Sequence, residues 1–143
     1  MTTWVLVADR LRARLLELGK DGKTLVELQD LVHPEARERL RELVDDRRGR
    51  ESGEWGRQTF EPVTSPREKE TAEFVREIGE ALEQGLNRGG FDRLVLCAEP
   101  RLLGRLREGL PEQVSRRVEG ELGKDLAAVA RPEELRKRLE EVL

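Results

Sequence analysis

A chain of 143 residues makes a single domain, 1–143, with a core of its own. Charged residues are 40% of it while the formal net charge is only −3, so a protein that coats nucleic acid through its overall field is excluded, and any polyanion must meet a local patch. Aromatic residues are 3% of the chain with no tyrosine, which leaves Leu, Val, Ile and Ala to build the interior and favours helices packed on a sheet.

The start, Met-Thr-Thr-Trp-Val-Leu-Val-Ala-Asp-Arg, lacks a basic n-region, and its apolar run ends at Asp9, short of a signal sequence or a membrane span. Val5 to Ala8 reads instead as a strand buried on both faces. Arg12 to Leu18 alternates Ala13 and Leu15 with Arg12 and Arg14. After the Gly19-Lys-Asp-Gly22 turn, Thr24 to Leu31 alternates again, which predicts an antiparallel hairpin. Pro34 to Val44 has helix formers and reads as a helical turn or an irregular excursion. Asp45 to Gln58 follows as a polar loop with Gly49, Gly53 and Gly56, four arginines and Trp55. With so little to bury, it is expected to be mobile and ordered by a partner.

Ser65-Pro66-Arg67-Glu68 has the pattern of a capping box and opens the clearest helix. Its apolar stripe is Ala72, Val75, Ile78, Leu82 and Leu86, widened by Phe74 and Ala81, and Gly89-Gly90 stops it. Leu94 to Ala98 is a second doubly buried strand, predicted to lie parallel to Val5–Ala8 at the centre of the sheet. Pro100 opens a short helix with Leu102, Leu103, Leu106 and Leu110 inward. Val114 to Leu122 reads as a fifth strand and Pro132 opens a terminal helix with Leu135, Leu139 and Val142 on one face. The order is βββαβαβα, the pattern of ribonuclease-H-like α/β domains with a mixed five-stranded sheet and helices packed on it.

Nucleases of that class need converging carboxylates to hold two divalent metals, which makes Asp9, Glu99 and Asp125 the candidates. An acidic residue closing a strand is also ordinary turn chemistry, and with 30 Asp and Glu in the chain the turn reading is preferred and no metal or other cofactor is expected. His33, the single histidine, precedes Pro34 and reads as structural. Cys97 stands alone in a buried strand, so no intrachain disulfide forms, a reducing cytoplasm suits the chain, and an inert core thiol is expected. Trp4 belongs to the core. For Trp55 two readings stay open, a residue tucked onto the domain or a stacking face for a base or a partner.

The runs Trp4 to Leu18 and Asp30-Leu-Val-His-Pro-Glu-Ala-Arg37, the Asp46-Arg-Arg-Gly-Arg50 turn and Leu122-Gly-Lys-Asp-Leu126 resemble the bacterial family of host attachment proteins. That family resembles in turn the middle domain of the archaeal and eukaryotic class-one translation release factor, where a Gly-Gly-Gln loop precedes a long helix. Here Gly56-Arg57-Gln58 holds that place with Arg57 at the second glycine, where a side chain restricts φ, so peptide release is not expected. The resemblance implies a cytoplasmic RNA-binding or ribosome-associated accessory domain. In it Arg47, Arg48, Arg50 and Arg57 meet phosphates while Trp55, Gly56 and Gln58 reach the site. Asp45, Asp46, Glu51 and Glu54 balance those arginines, which keeps a solvated tether open. A protein-interaction module acting in host attachment and a divalent-metal nuclease are the alternatives. Neither membrane nor DNA is expected as a partner.

Overall fold

The computed structural model describes residues 1–33 and 66–143. The expected excursion Pro34–Val44, the Asp45–Gln58 loop and the Ser65 cap lie outside the described residues. The fold is α/β. Strands β1 (Thr3–Ala8), β2 (Arg12–Leu18) and β3 (Leu25–Val32) precede α1 (Pro66–Asn87) and β4 (Arg93–Ala98). Then come α2 (Pro100–Gly109), the single turn α3 (Glu112–Ser115), β5 (Val118–Leu122), α4 (Pro132–Arg138) and a 3-10 turn at Glu140–Val142.

The five strands lie in the order β3-β2-β1-β4-β5. β1 pairs antiparallel with β2 and parallel with β4, from Thr3 opposite Arg93 to Ala8 opposite Ala98. The two runs predicted to be central and parallel are therefore so. Successive side chains of a strand point to opposite faces, and here both faces are covered. Trp4, Leu6, Ala8, Ala13, Leu15, Leu94 and Leu96 meet Phe74, Val75, Ile78 and Leu82 of α1 and Leu102, Leu103 and Leu106 of α2. Val5, Val7, Leu16, Val95, Cys97 and Leu122 meet Leu126, Ala127, Leu135 and Leu139. Each such Leu or Val taken out of water contributes about 1.5–3 kcal/mol before chain entropy is charged against it.

Local chemistry sets the element ends. Gly22 at φ +72° closes the β2–β3 turn with its N–H on Gly19 O, and Asp21 accepts from the N–H groups of Lys23 and Thr24. α1 stops as expected, with Gly89 at φ +75° donating to Leu86 O and Gly90 to Gly85 O, the bond pattern of a Schellman cap. Gly85 and Gly90 also form the slot for the Trp4 indole, since a Cβ at Gly85 would stand 2.6 Å from its Cη2 and Cζ3. Phe91 closes that slot, its ring centroid 4.8 Å from that of Trp4.

Three expectations need correction. Ala72 is exposed, because α1 turns its Phe74, Val75 and Ile78 rows to the sheet and Ala72 falls outside that arc. The fifth strand begins at Val118 and not at Val114, because Pro111 O accepts from the N–H groups of Val114 and Ser115 and winds that stretch into α3. Arg14, read as the polar partner of an alternating strand, is 1% exposed. Its guanidinium makes a two-pronged contact with Glu27, Nε to Oε2 and Nη2 to Oε1 at 2.8 Å each. It also donates to the carbonyls of Ala127 (3.1 Å), Val129 (2.5 Å) and Ala130 (3.3 Å).

The Arg14 hydrogen bonds hold the Glu27 carboxyl below its ordinary value, and the same pairing raises the pKa of Arg14. Removing the guanidinium strands three carbonyls and a carboxylate whose side chain is 34% exposed. Arg14→Ala is therefore expected to cost about 2 to 4 kcal/mol in urea denaturation. Because the folded pKa of Glu27 is depressed, its contribution is present above pH 4.5 and is lost as pH falls through the folded value below that. A pH series with Glu27→Gln should converge on wild type at the acid end, and a constant difference across the series would refute the linkage. Gly85→Ala should cost about 1–3 kcal/mol by overpacking against Trp4, read from the same denaturation midpoint.

Candidate functional site

Parallel β1 and β4 end at one rim of the sheet, where ligand sites of open α/β sheets gather. Asp9 follows β1 and Glu99 follows β4 there. β2 begins and β3 ends at the same rim, since Arg12 is opposite Val32, and His33 comes next. α1 finishes just before β4 starts, so its amino end, 22 residues earlier, lies toward this rim. The chain thus leaves the described domain after His33 at this edge and rejoins it at Pro66, about two helical turns before Phe74, on which His33 stacks.

The two rim carboxylates are engaged by backbone amides. Asp9 Oδ1 accepts from the N–H groups of Leu11 at 2.8 Å and Arg12 at 2.9 Å, which forms the β1–β2 turn. Glu99 is the N-cap of α2 and accepts from Leu102 N–H at 2.8 Å and Arg101 N–H at 3.3 Å. Both do the turn work that was preferred for them. Asp125 is exposed on the segment after β5. Among the described residues no three His, Cys, Asp or Glu side chains form a group that could hold a metal ion.

His33 is 1% exposed and stacks on Phe74 of α1, with centroids 4.7 Å apart and planes 3° from parallel. Its main-chain N–H donates to Leu11 O at 2.8 Å. The ring therefore anchors the point where the chain leaves β3 to the helix that follows, as a structural histidine does. Among the described residues its Nε2, Trp4 Nε1 and Arg12 Nε are buried without a hydrogen-bond partner. Cys97 donates its thiol to Lys124 O at 3.4 Å, and burial pushes its pKa up to about 11, which leaves no nucleophilic thiolate near neutrality.

Arg47, Arg48, Arg50, Trp55, Gly56, Arg57 and Gln58 lie outside the described residues, so no geometry joins them to the rim. The buried charged side chain that sequence reasoning missed is Arg14. Its signal was parity: Arg12, Arg14, Leu16 and Leu18 share one face of β2, and two leucines at one end of that face mark it as covered.

Because amide and carboxylate oxygens accept the same N–H bonds, Asp9→Asn and Glu99→Gln should each shift stability by less than about 1 kcal/mol, whereas Asp9→Ala should cost about 1. Denaturation midpoints measure this. A Mg2+-dependent nuclease activity abolished by the two conservative variants would overturn the turn assignment.

Comparison with known proteins follows the same division between fold and chemistry. No curated protein matches the chain by sequence. An archaeal translation termination factor, aRF1, is similar in structure at a TM-score of 0.52 and 15% identity, over 96% of this chain and 37% of that one. A structure described only as an archaeal protein is similar at a TM-score of 0.48 and 12% identity, over 96% of this chain and 36% of its own. The chain thus spans little more than a third of the factor it resembles, and at such identities the likeness is one of fold. The model of the family "Protein required for attachment to host cells" matches residues 4–139, nearly the whole chain, and the protein belongs to that family.

Proposed function

We propose that the protein is a cytoplasmic RNA-binding or ribosome-associated accessory domain whose contact is the 45–58 segment. The observation that carries this reading is the fold shared with a translation termination factor over 96% of the chain. The segment supplies the chemistry: Arg47, Arg48, Arg50 and Arg57 for phosphates, and Trp55 for stacking on a base. The chain that contains it departs after His33, which follows β3 at the rim where Asp9 and Glu99 close β1 and β4, the side from which α/β sheets present their sites. Arg57 in place of a glycine makes binding without peptide release the expected activity. Among the described residues no helix is long and apolar enough to cross a membrane.

A second reading, a protein-interaction module acting in host attachment, is favoured by β3. This edge strand leaves Val26 53%, Leu28 43% and Val32 41% exposed. Its ladder breaks where Leu15 pairs Gln29 and Leu16 pairs Glu27, which leaves Leu28 as the extra residue of a bulge.

Co-sedimentation with ribosomes across a salt series separates the two readings. Replacing Arg47, Arg48 and Arg50 with Glu should keep the melting temperature within a few degrees while weakening association. If the three residues neutralise phosphates, the log-log salt slope falls by about two to three units, at 0.7 to 0.9 per contact. Equal co-sedimentation of variant and wild type, or none from wild type at low salt, removes RNA and leaves the protein-contact reading.

A further inference from the structure

The second face of the sheet is closed less securely than the first. Among the described residues its cover is the stretch 123–143, whose helix α4 has seven residues and no side-chain hydrogen bond at its N-cap. A helix so short does not persist without its packing. Gly123, Lys124 and Asp125, which join it to β5, are exposed. Leu126, Ala127, Leu135 and Leu139 seat it on the sheet, and two arginines tie it down: Arg14 through the carbonyls of Ala127, Val129 and Ala130, and Arg136 by donating to Gly22 O at 3.0 Å. The first face is closed by the 22-residue α1 and by α2, and its core shares no buried residue with the second. The second layer can therefore lift without dismantling the first. Cys97 sits beneath it, its thiol on the carbonyl of Lys124 in the joint itself.

We propose that residues 123–143 form a strap that opens as a unit about Gly123–Asp125, pinned shut by Arg14, and that its opening uncovers the Cys97 thiol. A disulfide probe reads the opening: the Cys97 thiolate attacks one sulfur of the probe, the S–S bond breaks, a mixed disulfide forms on Cys97 and the other half leaves as a thiolate.

The test is the rate at which the intact protein reacts with 5,5′-dithiobis(2-nitrobenzoate), followed by release of the nitrothiobenzoate ion in increasing urea. A strap opening exposes a fraction of the surface that global unfolding does, so the logarithm of the rate should rise with urea at about half the slope of global unfolding or less. Arg14→Lys, which keeps the charge but loses the two-pronged contact, should speed labelling about tenfold or more. Leu135→Val weakens the strap's seat and should also speed it, which keeps the test open if Arg14→Lys does not fold. Ile78→Val, in the first core, should lower the global midpoint and leave labelling without urea unchanged. A wild-type slope equal to the global one would overturn the proposal, as would acceleration by Ile78→Val matching its loss of stability. A folded Arg14→Lys that labels at the wild-type rate would remove the pin.

Discussion

The parallel pairing of β1 with β4 constrains everything around it. Both strands are unbroken apolar runs, so their alternate side chains enter opposite faces and neither face tolerates water. Two covering layers are then obligatory. The amphipathic α1 and α2 supply one with long stripes of Phe74, Ile78, Leu82 and Leu106. The other must come from the 21 residues after β5, which hold one helix of seven residues. So small a layer cannot satisfy its own backbone, and Arg14 is the consequence. A guanidinium reaching up from β2 serves three carbonyls that no helix or strand ladder pairs, while Glu27 on β3 balances its charge. Apolar packing and one buried cation thus divide the work on the second face.

What the sequence revealed and what it hid follow from the same division. Central strands announce themselves by continuity, so β1 and β4, their adjacency and their direction were legible, as were the Pro-led starts of α2 and α4 and the Gly89-Gly90 stop of α1. Elements shaped by a single backbone exchange were not. Val114 to Arg117 alternates well enough to pass for strand, but Pro111 O captures two amides and winds it into a turn of helix. Arg14 was hidden for another reason. Period two says which face a residue occupies and not whether that face is wet, and charged residues are almost never fully buried without partners. Its partners are carbonyls 113 to 116 positions away, a separation at which local pattern carries nothing.

The rim shows the complementary case, in which residue type suggested chemistry and hydrogen bonds assign architecture. Asp9 and Glu99 stand where catalytic carboxylates stand in metal-dependent α/β enzymes, yet Asp9 Oδ1 and both oxygens of Glu99 accept from amides of residues two and three places on. A carboxylate so employed is a turn or a cap, and it would have to release those amides before gathering round a cation. His33 likewise gives its ring to Phe74 and its N–H to Leu11. These are the fastenings of a frame. They hold the departure after His33 against one edge of the sheet.

That arrangement explains why family and fold are plain in this chain while its partner is not. A core can be read from periodicity because burial is a repeated constraint that every strand and helix obeys. Recognition requires only a few side chains, and a polar segment rich in glycine and arginine obeys no period at all. The described domain closes both faces of its sheet with its own residues and commits its rim carboxylates to its own amides. Between residues 33 and 66 the sequence carries seven of the chain's 27 basic residues, all of them arginines from Arg37 to Arg57.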